Sequence, residues 1–82
     1  MKIEAIINGM KAAIEVESTA PMSALVMLAI NNAPQGNAGH PDPHDWQVRD
    51  EAGVLLGQTL IVGETLPDAA RVFVNLQAGT GG

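Results

Sequence analysis

The chain has no cysteine, which excludes a disulfide framework, a thiolate metal site and a cysteine nucleophile. Aromatic residues are almost absent, with one Trp, one Phe and no Tyr, so aliphatic side chains must form most of the core. Basic residues are also scarce. Lys and Arg together number four, whereas Asp and Glu together number nine, which gives a net charge of -5. Because nucleic acids and anionic membranes bind basic surfaces, this balance argues against both and favours a basic protein partner.

Long hydrophobic runs are missing as well. The longest apolar stretch, from Ala24 to Ile30, is too short to cross a bilayer. The amino end, Met1-Lys2-Ile3-Glu4, has no signal-peptide pattern, so we expect a cytoplasmic protein. The 82 residues leave room for one domain of modest stability.

Two alternating runs at the amino end predict a β-hairpin. Asn8-Gly9 separates them, and both positions of such a turn require φ > 0. The apolar positions that share one side are Ile3, Ala5, Ile7, Ala12, Ile14 and Val16. Alternation of this kind is typical of strands with one buried side.

One helix should follow the hairpin. Ser18 or Thr19 offers an N-cap oxygen, and Pro21 suits a first helical turn. Apolar residues then recur at helical spacing, at Met22, Leu25, Val26, Ala29 and Ile30. Met27 and Leu28 widen this stripe beyond what one sheet needs, which indicates either extra core or a contact with another chain.

The second half predicts shorter elements. Residues 33–45 read as a loop, residues 46–49 and 54–56 as a second hairpin around the Asp50–Gly53 turn, and residues 58–66 as irregular. A final strand over 71–77 places Val72, Val74 and Leu76 inward and Arg71, Phe73 and Asn75 outward.

This order of elements predicts an α+β fold. A mixed sheet of four to five strands would pack on one helix, with the first and last strands parallel at its centre. We expect residues 1–77 to form the domain and residues 78–82 to form a flexible di-glycine tail.

The pattern resembles the ubiquitin-like β-grasp family over essentially the whole chain, although little of the likeness is identity. The segments that carry it are Met1-Lys2-Ile3, Asn8-Gly9, Thr19-Ala20-Pro21, Gln58-Thr59-Leu60, Val72-Phe73-Val74-Asn75-Leu76 and Gly81-Gly82. Within that family the chain is similar to the bacterial ubiquitin-like modifiers of the BubA type, chiefly at residues 45–53 and 78–82.

The resemblance implies a protein modifier with no catalytic residue and no bound cofactor or metal of its own. An ATP-dependent activating enzyme would adenylate the carboxylate of Gly82, which follows Gly81, and take it up as a thioester. A conjugating enzyme would then join it to target proteins, through an isopeptide bond where the acceptor is an amine. A deconjugating protease would reverse that step.

The tail and the last strand supply the predicted contacts with the activating enzyme. Gly79 and Thr80 would enter a narrow channel, where larger side chains would clash. The six residues after Leu76 could reach roughly 20 Å if extended. The tail lacks the arginine that is usual in this family, which implies a dedicated activating enzyme. Phe73, with Arg71 and Asn75, would form the docking spot on the body.

Lys2 and Lys11 are the only lysines, and they are the candidate acceptors if modifier units join into chains. The alternative is that both lysines only solubilise the surface. Whether the chain associates with itself stays open.

Several alternatives also stay open. A sulfur carrier shares the fold and the Gly-Gly end but converts the carboxylate to a thiocarboxylate, and a binding-only adaptor would not need Gly82. A terminal Gly-Gly alone could be a frayed end or a linker remnant. The segment from His40 to Asp45 has two imidazoles and two carboxylates, but its prolines spread them apart, which favours a solvated loop over a metal site.

Overall fold

The computed structural model describes residues 1–32 and 42–76. They form a five-stranded mixed sheet with one helix on its inward face, which confirms the predicted α+β arrangement. The strands are β1 (Lys2–Ile7), β2 (Met10–Glu15), β3 (Trp46–Arg49), β4 (Leu55–Leu56) and β5 (Ala70–Leu76). The helices are α1 (Met22–Asn32) and the short α2 (Val62–Thr65), and Pro43–Asp45 form a 3-10 turn.

The sheet has the strand order β2-β1-β5-β3-β4, so β1 and β5 lie near its centre. They run parallel in register from Ile3 opposite Ala70 to Ile7 opposite Val74, as predicted. The hairpin of β1 and β2 closes at Asn8 (φ 51°) and Gly9 (φ 80°). Both φ values are positive, as an Asn-Gly turn requires.

The core is apolar throughout the described residues, with no buried polar or charged side chain. Five residues of α1 are buried against the sheet, and they are the five predicted: Met22, Leu25, Val26, Ala29 and Ile30. Met27 remains 41% exposed and Leu28 is half-buried. The widened apolar stripe of α1 therefore reaches the surface of the domain.

The prediction that residues 58–66 are irregular is wrong in part, because Val62–Thr65 form α2. Val62 is fully buried and anchors this turn in the core. The N–H of Leu66 donates to the Val62 carbonyl at 2.8 Å, which closes the helical turn. A four-residue helix is too short to show a 3.6-residue period, so the sequence pattern does not reveal it.

The start of α1 is capped from a distant segment rather than by Ser18 or Thr19 as predicted. The N–H of Met22 donates to the Leu60 carbonyl at 2.7 Å, and the N–H of Ser23 donates to the Gln58 carbonyl at 2.9 Å. These bonds satisfy two of the N–H groups that a helix start leaves without a partner. The expected cap was local, but tertiary structure supplies the carbonyls.

Gly63 lies where two backbones come close together, so we predict that Gly63→Ala destabilises the fold. Its N–H donates to the Ser18 carbonyl, and an added Cβ would lie 2.7 Å from the Ser18 oxygen. Backbone cannot move as a side chain can, and we expect a loss of about 2 kcal/mol in the free energy of unfolding. Chemical denaturation measures this.

Gly57→Ala is the matched control for this prediction. A Cβ at Gly57 would only touch the side chain of Leu60, at 3.7 Å. Its effect should stay within about 0.5 kcal/mol. Equal losses of unfolding free energy in the two variants would show that the close approach of Gly63 to Ser18 is not the cause of the destabilisation.

Candidate functional site on the outward face of the sheet

The surface of the sheet opposite α1, called the outward face below, contains the predicted docking residues of β5. Val72 and Val74 are fully buried, whereas Arg71 and Asn75 are exposed. Phe73 lies between these two on the outward face and is half-buried. The alternation predicted for this strand is therefore confirmed, and neighbouring strands cover the ring of Phe73 in part.

Strand register places Phe73 in the middle of a row that crosses the whole sheet. Phe73 lies opposite Ile6 of β1 and opposite Arg49 of β3. Ile6 in turn lies opposite Lys11, and Arg49 opposite Leu55. With strands about 4.8 Å apart, this cross-strand row spans about 19 Å. It contains three apolar side chains and two cations, Lys11 and Arg49, a combination suited to binding another protein.

A carboxylate orients two of the cations on this face. Oε1 of Glu4 lies 3.2 Å from Nε of Arg71 and 3.9 Å from Nζ of Lys11. Lys11 and Arg71 are exposed and Glu4 is partly buried, so these ion pairs add little to stability. Arg49 is held separately, since its Nη1 donates to the Gly53 carbonyl at 2.9 Å.

The outward face carries all the lysine and arginine of the chain. Strand alternation places the four cations there with only two carboxylates, Glu4 and Glu15, which gives this face a charge of +2. The other seven of the nine carboxylates lie outside these strand positions, and three of them, Asp50, Glu51 and Asp68, line a groove with Arg71 at one end of the sheet. A partner of the outward face should therefore be acidic, and the expectation of a basic partner applies only to the rest of the surface.

The two candidate acceptor lysines both lie on this face. Lys2 and Lys11 line one open groove of about 460 Å³ along the β1–β2 hairpin. The side chain of Lys11 is 74% exposed. The amino-terminal nitrogen of Met1 instead lies 3.4 Å from a carboxylate oxygen of Glu15. The side chain of Lys11 is therefore accessible to solvent, with its Nζ at 3.9 Å from Glu4.

The predicted tail residues lie outside the described residues, namely Gly79, Thr80, Gly81 and Gly82, as does Gln77 at the predicted end of the last strand. The described chain ends at Leu76, which pairs with Trp46 of β3. Asn75, one residue earlier, lies opposite Gln47 on the outward face. The strand that leads into residues 77–82 is therefore the strand that carries Phe73.

Asp42 and His44, from the segment considered for metal binding, form a local turn. The Asp42 carboxylate accepts a hydrogen bond from the His44 N–H at 2.9 Å and contacts ring atom Nδ1 at 3.1 Å. These contacts hold the pKa of the Asp42 carboxyl below its ordinary value. Residues 1–32 and 42–76 contain no group of three potential metal ligands, and His40 lies outside them. No helix of those two ranges has the length and hydrophobicity to span a membrane.

Comparisons with known proteins identify the fold. No protein-family model matches the chain, and no curated protein is significantly similar to it in sequence. Among solved structures, the ubiquitin of Caldiarchaeum subterraneum is similar to it, with a TM-score of 0.67 and 19% identity. The match covers 100% of this chain and 98% of the archaeal one. The chain therefore has the ubiquitin-like β-grasp fold, as its pattern predicts.

Proposed function

We propose that this chain is a ubiquitin-like protein modifier and that the carboxyl group of Gly82 is its acyl donor. The observation that carries the proposal is the pairing of a β-grasp body with Gly81-Gly82, which follow the end of the central strand β5 at Leu76 within six residues. Synthesis or trimming of a longer precursor could expose Gly82, and the chemistry proposed is the same in both cases.

Activation by ATP explains why such a protein needs no catalytic group. A carboxylate is a poor acyl donor, so an activating enzyme first joins it to the α-phosphate of ATP and releases pyrophosphate. A cysteine thiolate of that enzyme then displaces AMP and forms a thioester. An amine or hydroxyl of the target displaces the thiolate and forms an amide or an ester. Partner proteins perform every step, and this chain supplies the carboxyl group and a docking surface.

The outward face is the docking surface we assign to the activating enzyme. Phe73 precedes Leu76 by three residues, so an enzyme bound over Phe73 would also lie beside the start of the tail. The tail contains no basic residue, whereas the outward face carries a charge of +2. We propose that these body cations replace the family's usual tail arginine and meet an acidic surface on an activating enzyme dedicated to a BubA-type modifier.

We predict that Phe73→Asp weakens activation at least tenfold, mainly through KM. The substitution removes the aromatic centre of the cross-strand row and brings a carboxylate toward an acidic partner. Pyrophosphate exchange by the activating enzyme of the same cells, measured against the concentration of this protein, gives KM and kcat. Arg71→Glu changes an exposed residue and serves as a second variant if Phe73→Asp unfolds.

Met27→Asp is the control, because it makes the same charge change on the opposite side of the domain. Met27 is 41% exposed on α1. We expect its KM to stay within twofold of the unchanged protein. If Met27→Asp and Phe73→Asp raise KM equally, then the outward face is not the docking surface.

A further inference from the structure

Helix α1 leaves an unusual surface on the side of the domain opposite the cross-strand row. None of its eleven residues is charged. A surface helix normally presents polar side chains to water, but α1 presents Ala24, Met27 and Leu28 to the solvent. Met27 is 41% exposed, and the other two are half-buried. Solvent therefore meets an apolar, uncharged strip along this helix.

A groove runs beside this strip. The groove is lined on the helix side by Ala20, Ala24 and Leu28, and on the hairpin side by Met1, Glu15, Val16 and Glu17. Its volume is about 240 Å³. Sites for small molecules usually measure about 300–1,000 Å³, so this helix-side groove suits one or two side chains of a docked segment better than a free ligand.

The charges around the helix-side groove are negative. Glu15 and Glu17 are exposed at its rim. The amino-terminal nitrogen contacts Glu15, whereas Glu17 forms no ion pair within the described ranges 1–32 and 42–76. Lys2 lies opposite Glu15 across the β1–β2 hairpin. Glu17 is therefore the rim carboxylate that remains available to a cation of a partner.

We propose that the helix-side groove binds a segment of a partner protein that presents apolar side chains flanked by lysine or arginine. The apolar side chains would lie between Val16 and the helix residues Ala24 and Leu28, and a cation would pair with Glu17. Because α1, which lines the groove, and the cross-strand row lie on opposite sides of the sheet, both can be occupied at once. The proposal does not depend on Gly82 or on activation by ATP.

A peptide titration tests this proposal on the full chain. The probe is a synthetic twelve-residue peptide of alternating leucine and lysine, and its counterpart has glutamate in place of lysine. Titrations of the ¹⁵N-labelled protein at physiological salt limit long-range attraction to within about 8 Å. We expect the lysine peptide to shift the amide signals of Val16, Ala24 and Leu28, and the glutamate peptide to shift none.

Two variants with the same change in charge distinguish binding in the groove from nonspecific electrostatic attraction to the acidic protein. Ala24→Lys fills the groove and adds one positive charge, and we expect it to weaken binding of the lysine peptide at least tenfold. Glu51→Gln removes one negative charge at an exposed turn and should change binding less than twofold. If Ala24→Lys fails to fold, Glu17→Gln replaces it, with an expected weakening of about threefold.

Four results would overturn the proposal. These are an absence of shifts at millimolar peptide, shifts centred on β3 and β5, equal binding of the two peptides, and equal weakening by the groove variant and Glu51→Gln. None of these results bears on the acyl transfer proposed for Gly82.

Discussion

Deletion of Gly82 should lower the yield of conjugates at least a hundredfold in the presence of ATP and the activating enzyme. The shortened chain still ends in glycine, at Gly81, so its terminal carboxylate keeps the same chemistry. Its position changes, because one residue fewer draws the carboxylate back by about 3.5 Å. A misplacement of about 1 Å can already cost a hundredfold in rate. Gel shift and intact-mass analysis of the conjugates measure the yield.

Gln77→Ala is the matched control, since it alters the same segment and keeps its length. Conjugation of this variant should remain within twofold of the unchanged chain. Unfolding curves of all three proteins establish that the body is intact in each. Conjugates that persist at the usual level after deletion of Gly82 would rule out this carboxyl group as the donor.

Trp46→Ala should cost about 4 kcal/mol of unfolding free energy, the largest stability effect that we predict. Trp46 is 1% exposed and is the largest fully buried side chain in a core that is otherwise aliphatic apart from Met22. The total unfolding free energy of a small domain is only about 5–15 kcal/mol. A loss of this size lowers Tm by about 20 °C. Thermal unfolding followed by circular dichroism measures the change.

Leu55→Ala gives the comparison for Trp46→Ala. Leu55 is 52% exposed on the short strand β4, which pairs with the same strand β3. Its truncation should cost less than about 1 kcal/mol. If both variants lose similar stability, the core is not organised around Trp46.

Elements with a clear period could be predicted from the sequence. The hairpin at Asn8-Gly9, the buried side of α1 and the two sides of β5 depend on neighbours within the same element, and local pattern records those. The segment from Gln58 to Leu60 depends instead on residues far away. Its carbonyls cap α1, and Nε2 of Gln58 donates to the carbonyls of Pro43 and Trp46 at 2.6 and 2.8 Å. No local period encodes such contacts.

The candidate site shows the same division. Sequence alternation identified Phe73 and Arg71 as outward, but it could not identify their neighbours. Ile6 and Arg49 come beside Phe73 only through pairing between distant strands. The four lysine and arginine side chains come together on the outward face through the same register. The net charge of -5 gives no sign of this uneven distribution. The helix-side groove likewise forms between two elements, so only the folded chain reveals it.

Tandem mass spectrometry of the protein and its conjugates, isolated from its native cells, tests the proposed function most directly. We predict a covalent bond between the carboxyl carbon of Gly82 and an amine or hydroxyl of a target protein, formed with loss of one water. A terminal carboxylate found with sulfur in place of oxygen would indicate a sulfur carrier instead. A chain found only unmodified and unconjugated, in cells that contain its activating enzyme, would contradict acyl transfer and indicate an adaptor.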